Sequence, residues 1–149
     1  MSKTVKKSIN FINDSARGVL LTLDKEKEIH GRPIGAFGND ELDIFFASRK
    51  ATKKAEHIDL DPKVTFYIEN PGTAAGEFKY LSVSGDASAI VDESELEKAI
   101  KIISIKYPKI NELSQSKDFN EWAIYKIKAK NVKYYENTEG GPIEVIEEV

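Results

Sequence analysis

Residues 18–54 read GVLLTLDKEKEIHGRPIGAFGNDELDIFFASRKATKK, and the way this stretch divides decides the fold. Gly18 to Asp24 (GVLLTLD) is almost wholly apolar and rich in β-formers, the pattern of a strand buried on both faces. The charged run Asp24 to Glu28 turns the chain back into an antiparallel neighbour over Ile29 to Phe37. Gly38-Asn39-Asp40 is the next turn signal, and Leu42 to Ser48 (LDIFFAS) is the third strand. Lys50 to Asp59 predicts a short helix with Ala51, Ala55 and Ile58 on its inner face, which Pro62 keeps from continuing.

Upstream, Val5, Ile9 and Ile12 lie at helical spacing with Lys3, Lys6 and Lys7 off the stripe, so the chain opens on an amphipathic helix. Downstream, Val64 to Ile68 (VTFYI) is a strand, and Asn70-Pro71-Gly72 with Ala74, Ala75 and Gly76 is a loop. Phe78 to Val91 makes one long strand or two, broken or bulged near Gly85. Ser94 and Glu97 form a capping box ahead of Leu96, Ile100 and Ile103, and the helix they open ends before Pro108. Ala123, Tyr125, Ile127 and Ala129 alternate with Ile124, Lys126, Lys128 and Lys130, a period-two strand with one solvated face. Gly140-Gly141-Pro142 breaks the tail before a late strand. About six strands with helices at the start, after the third strand and after the long strand do not alternate as βαβ units. The expected fold is mainly β: an antiparallel barrel with peripheral helices, in one domain over residues 1–149.

Composition narrows the chemistry. Lys+Arg 22 against Asp+Glu 25 gives a net charge of -3, whereas a general nucleic-acid binder is more basic. No cysteine is present, which removes disulfides, thiolate nucleophiles and Cys-bound zinc or iron–sulfur. His30 and His57 are the only histidines, too few for a multi-histidine metal site. The first residues contain no apolar h-region, and no apolar run is long enough to span a bilayer, so a cytoplasmic protein without membrane contact is expected.

One constellation suits a ligand. Arg49, Lys50, Lys53 and Lys54, interleaved with Ser48 and Thr52, fall where a strand meets a helix N-terminus, a place that favours an anion. A solvated lysine face is the competing reading. Arg32 lies on the preceding strand, beside Pro33, which removes a ladder donor and marks an edge. Arg32, Ser48, Thr52 and Lys54 can converge on one phosphate monoester, whose dianion suits a guanidinium with ammonium and hydroxyl donors. His30 reads as a turn or strand-end residue and His57 as exposed in the short helix; Trp122, Tyr134 and Tyr135 read as core or interface aromatics. No G-x-G-x-x-G, P-loop or G-x-S-x-G motif occurs.

The ordered string GVLLTLD, IHGRPIG, LDIFFAS, TKKAEHIDLDPKV, YLSVSGDA and KAKNVKYYEN resembles the pyridoxamine-phosphate-oxidase-like flavin-binding split barrels, most closely the general stress protein 26 branch. The resemblance extends from the first helix to Glu136. It implies a six-stranded antiparallel split barrel that forms a homodimer, with FMN in clefts between the subunits. Arg32-Pro33-Ile34 stands at the family's Arg-Pro-Met motif, which gives its arginine to the flavin phosphate and its backbone to the ring. The strand end Ala47-Ser48 and the following Thr52-Lys53-Lys54 complete the implied phosphate grip. Asp61-Pro62 stands at the family's Asn-Pro. Tyr134-Tyr135 stands at its late Tyr-Trp pair, which makes Tyr135 the residue implied to approach the flavin from the partner subunit.

The implied activity is FMN-dependent oxidoreduction of a small-molecule substrate that the sequence does not specify, with no catalytic side chain named. The alternatives are a non-catalytic flavin-binding stress protein, or a split barrel that takes a deazaflavin or heme. The acidic tail GGPIEVIEEV lacks the arginine-rich substrate segment of true pyridoxamine-phosphate oxidases, and Arg17, Arg32 and Arg49 are the only arginines. Vitamin B6 is therefore not the expected substrate.

Overall fold

The computed structural model describes residues 1–70 and 78–149, so the loop expected over residues 70–76 lies outside the described residues from position 71 on. The chain runs through α1 (Lys3–Asn13), β1 (Gly18–Leu23), β2 (Ile29–Ile34), β3 (Phe37–Asp40), β4 (Asp43–Arg49), α2 (Lys53–Leu60) and β5 (Lys63–Asn70). It continues through β6 (Lys79–Ala89), α3 (Glu93–Ser104), α4 (Ile110–Ser114), a 3₁₀ turn (Lys117–Glu121), β7 (Trp122–Thr138) and β8 (Gly141–Glu148). The strands form one antiparallel sheet in the order β2-β1-β5-β6-β7-β4-β3, with β8 also on β7. β3 is a strand beyond those expected, and with the late strand β8 the sheet has eight.

β7 organises the sheet because its 17 residues have two long edges. One edge pairs with β6 along its length; the other is shared by β4, over Trp122 to Ile127, and β8, over Asn131 to Thr138. The sheet curls around Leu20, Phe37, Ile44, Phe46, Phe66 and Leu81, all fully buried. Burying each such side chain contributes roughly 1.5–3 kcal/mol. A second cluster of Phe45, Ala47, Ile103, Ile110 and Ile124 lies beneath α3 and α4 on the other face of β4.

Several local expectations are corrected. β1 is not buried on both faces: Gly18, Leu20 and Thr22 point inward and are buried, but Val19, Leu21 and Leu23 are only half-buried, because among the described residues no layer covers the outer face of this strand. The strand expected over Ile29 to Phe37 stops at Ile34, and Gly38-Asn39-Asp40 is not a turn but most of β3. The reversal falls at Glu41-Leu42, where Glu41 adopts a left-handed φ of 54° and its carbonyl accepts from Asn39 Nδ2 at 2.8 Å. α2 begins three residues late, capped by Thr52, which leaves Ala51 exposed in the turn before it. Asp92, not Ser94, caps α3, because its carboxylate accepts the Glu95 N–H at 2.9 Å two residues upstream. α4 and the 3₁₀ turn were not anticipated; each is too short for a periodic signal. α1, the bulge at Gly85 and the late strand stand as expected.

α1 is tied down at its C-terminus by Lys106. That ammonium donates to the carbonyls of Ile12 and Ser15 and lies 4.4 Å from the centre of the Phe37 ring. Free carbonyls at a helix end favour a cation, although burial pushes the Lys106 ammonium down from its usual range. Lys106→Met keeps the aliphatic stem and strands the carbonyls, which is expected to cost about 2 kcal/mol. A thermal melt should show a drop of several degrees; an unchanged midpoint would contradict this role.

Candidate functional site

The inner face of the first hairpin and the first turns of α2 meet at one end of the barrel. In the β1–β2 register Leu20 lies opposite Arg32, and Thr22 opposite His30, so Arg32 and His30, on the same face of β2 as the buried Ile34, are directed to the α2 side. Arg32 Nη1 donates to the Leu20 carbonyl at 3.1 Å and to Thr22 Oγ1 at 2.7 Å. Thr22 Oγ1 also lies 2.8 Å from His57 Nδ1, and the His57 ring centre is 4.7 Å from that of His30. Asp24 holds His30 through Nε2 at 2.8 Å, and that contact with the Glu28 and Glu26 N–H groups brings the Asp24 carboxyl down to about 2. A depression of about 410 Å³ opens beside these groups, bounded also by Lys53 and Glu56.

Two cations, Arg32 and Lys54, stand half-buried here. Burial, then the nearby Arg32 guanidinium, pushes the Lys54 ammonium down, and burial does the same to Arg32. Among the described residues no carboxylate pairs with either. Two like charges held half-buried and within electrostatic reach favour an anion between them. A larger hollow of about 500 Å³ near α1 carries Lys7, Arg17 and Lys79, but Asp14, Glu69 and Glu136 line it too, and Glu136 pairs both lysines, at 3.3 and 3.6 Å.

The remaining predicted residues divide. Ser48 is 2% exposed at the end of β4, and its Oγ lies 3.3 Å from Thr52 Oγ1 at the α2 N-terminus. Both hydroxyls donate to the Arg49 carbonyl, and rotation would free either for an incoming oxygen. Lys53 is on the rim, exposed and paired with Glu56 at 3.3 Å. Pro33 is exposed, and the Ile34 side chain belongs to the core, so these two offer backbone at most. Ala47 is on the opposite face of β4 from Ser48, and its N–H is taken by Ala36 at 3.1 Å. Tyr135 alternates with the buried Tyr134 and so faces outward, away from Arg32; it stacks on Phe78 and Tyr80 with 5.1 Å between ring centres in each case. Arg49 is turned to Glu121 at 3.4 Å.

Sequence reading missed Thr22 and misplaced His57, which is 6% exposed rather than solvated. A hydroxyl at an inward position of an otherwise aliphatic strand was the available signal for Thr22. His57 carried none, because α2 is short and its inner face depends on docking against β1.

Curled antiparallel sheet, peripheral helices and paired cations at the mouth define a split barrel of the pyridoxamine 5'-phosphate oxidase-like type. The pyridoxamine 5'-phosphate oxidase family model matches residues 5–136, and the chain belongs to that family. General stress protein 26 of Bacillus anthracis superposes with a TM-score of 0.69 at 19% identity, over 99% of this chain and 100% of that one. A heme-binding protein of Mycobacterium smegmatis gives 0.79 at 12% identity over 97% of this chain, which spans only 58% of that protein. The heme storage protein HutZ of Vibrio cholerae gives 0.68 at 17% identity, over 85% and 89% of the two chains. Identities this low speak for a shared fold alone. No curated protein matches in sequence. Among the described residues no helix is long and apolar enough to cross a membrane.

Proposed function

We propose that this chain binds FMN with the flavin phosphate between Arg32 and Lys54, and that it is a flavin-dependent oxidoreductase. The observation that carries it is the pair of half-buried cations without a carboxylate partner, beside the hydroxyls of Ser48 and Thr52 at a helix N-terminus. A phosphate monoester dianion fits that donor set in charge and number. Bound FMN would supply hydride or electron transfer through its ring. The chain's own residues would anchor the phosphate and fix where the ring lies.

Pyridoxamine phosphate is not the substrate this site favours. A second phosphate needs a second guanidinium, yet Arg49 is engaged with Glu121 and Arg17 lies at the α1 hollow.

Pairing of two chains belongs to the same proposal. The outer face of the sheet carries half-buried Leu21 and Leu23, the 72% exposed Ile29, the 67% exposed Ile146 and the rings of Tyr80 and Tyr135, stacked on each other, with Tyr67 tilted against Tyr80. Apolar surface of that extent is unusual on a monomer and suits a second copy, which would bring Tyr135 to the partner's cleft. Light scattering is expected to return twice the 16.7 kDa of one chain; the single-chain mass would contradict the pairing.

The decisive test is a visible spectrum of the purified protein with an FMN titration, followed by anaerobic mixing with NADH or NADPH. Flavin absorbance and bleaching by the donor are expected. No FMN affinity would overturn the cofactor. Binding without bleaching by any donor would leave a flavin-binding protein rather than an enzyme. Heme is the second reading, favoured by the two heme proteins among the structural neighbours. A Soret band on adding hemin, with no response to FMN, would establish it in place of the flavin.

A further inference from the structure

We infer that Tyr135, Tyr80 and Tyr67 form a relay for a single oxidising equivalent, which comes to rest on Tyr67 while its phenol proton passes to Glu69. The register of three adjacent strands lays out the path. Tyr80 of β6 lies directly opposite Tyr135 of β7 on one side and Glu69 of β5 on the other, and Tyr67, two residues before Glu69, shares its face. The Tyr135 and Tyr80 rings are stacked with centres 5.1 Å apart and 7° between their planes; the Tyr80 and Tyr67 centres are 5.7 Å apart. Both spacings are those of rings in direct contact. Charge can therefore hop from one ring to the next with no insulating side chain between.

Stacked tyrosines on neighbouring strands are also ordinary sheet packing. The chemistry around the hydroxyls and rings goes beyond packing. A phenol that loses an electron becomes a strong acid, so the radical settles where a base takes the proton. Tyr67 Oη donates to Glu69 Oε2 at 2.9 Å, which supplies that base. Tyr80 has the Lys133 ammonium 5.6 Å from its ring centre. A cation held there is drawn to the ring electrons and repels the positive charge that remains when one is removed, so Tyr80 passes the charge on without keeping it. Tyr134 also donates to a carboxylate, Glu136 at 3.2 Å, but its buried ring packs edge-on against Phe11 and stands outside the stack. The oxidant is a flavin excited by blue light, and the step balances. The electron goes to the flavin, the Tyr67 O–H bond breaks, its proton bonds to the Glu69 carboxylate, and a neutral phenoxyl radical remains on Tyr67.

Free riboflavin is the probe; it has no phosphate, so the result does not depend on the site at Arg32 and Lys54. The purified full chain is illuminated with riboflavin and frozen, and its tyrosyl radical is read by electron paramagnetic resonance. The hyperfine splitting depends on the torsion of the side chain that carries the radical, so each tyrosine has its own pattern. One pattern is expected from the parent. Tyr67→Phe keeps the ring and its packing but has no O–H, and should lose that pattern. Glu69→Gln keeps the shape but not the base, and its signal should be about tenfold smaller, the equivalent of one hydrogen bond to a charged group. Tyr80→Phe leaves the stack intact but puts a ring that is far harder to oxidise in its middle. A second pattern, from Tyr135, should then appear beside that of Tyr67, and the further change Tyr135→Phe should remove it. A parent without a tyrosyl radical, a signal that survives Tyr67→Phe, one that Tyr134→Phe abolishes, or a Tyr80→Phe spectrum identical to the parent's overturns the relay.

Discussion

FMN affinity is expected to fall at least a hundredfold when Arg32 and Lys54 are both replaced by methionine, while Lys54→Met alone leaves the empty protein slightly more stable. Methionine keeps the apolar stems that pack beside β1 and α2, so the change removes charge and donors with little loss of packing. Hydrogen bonds to charged groups contribute roughly 1.5–3 kcal/mol each. Both residues are partly open to solvent, which takes the lower end of that range, and about 1.4 kcal/mol is tenfold in affinity. The two losses should not simply add, because removing Lys54 also relieves Arg32 of a like charge. That same relief predicts the gain in stability: a site that stores repulsion for its ligand melts higher when one charge is deleted. Titration of the single and double variants, with thermal melts of each empty protein, checks both signs. Parent-like FMN binding by the double variant would sink the assignment. A lower melting point for Lys54→Met would show that its ammonium serves structure instead.

The second large effect concerns the barrel rather than the site. Gly85→Ala is expected to destabilise the protein by about 3 kcal/mol, the upper range for overpacking. A Cβ at Gly85 would lie 1.9 Å from the Lys128 carbonyl oxygen and 2.8 Å from its carbon, both backbone atoms that cannot swing aside. The contact arises because the β6–β7 register shifts between Ser84 and Gly85, which brings β7 unusually close at the bend of two central strands. For a chain of this size about 3 kcal/mol corresponds to a melting point lower by roughly 10 °C. A midpoint within two degrees of the parent would mean that the strands can part at the bulge.

What local pattern could reveal, it revealed. The period-two alternation of Ala123 to Lys130, the apolar run of Gly18 to Leu23 and the helical stripe of Val5, Ile9 and Ile12 all report on neighbours along the chain. Errors gathered where the deciding contact was distant. Gly38-Asn39-Asp40 has the composition of a turn, yet Phe37 is buried against Phe66, with ring centres 4.9 Å apart, and draws those residues into a strand with β4. Asp92 displaced Ser94 as the cap because both are good caps and the strand before them ends early enough to expose the upstream one.

The site shows the same division. Residue types singled out Arg32, Ser48, Thr52 and Lys54 as candidates for a phosphate, beside the competing reading of a solvated lysine face. Residue types could not separate Lys54, turned inward beside Arg32, from its neighbour Lys53, paired with Glu56 on the rim. One residue along a helix is 100° of rotation, and only the docking of α2 on β1 fixes which lysine faces inward. The sequence by itself determined an antiparallel barrel and the donor types it carries, because strand alternation and donor type are local properties. Tertiary structure decided which donors meet, that His57 is buried against Thr22, and that the outer face of β1 is only half-buried, because each depends on elements brought together across the fold.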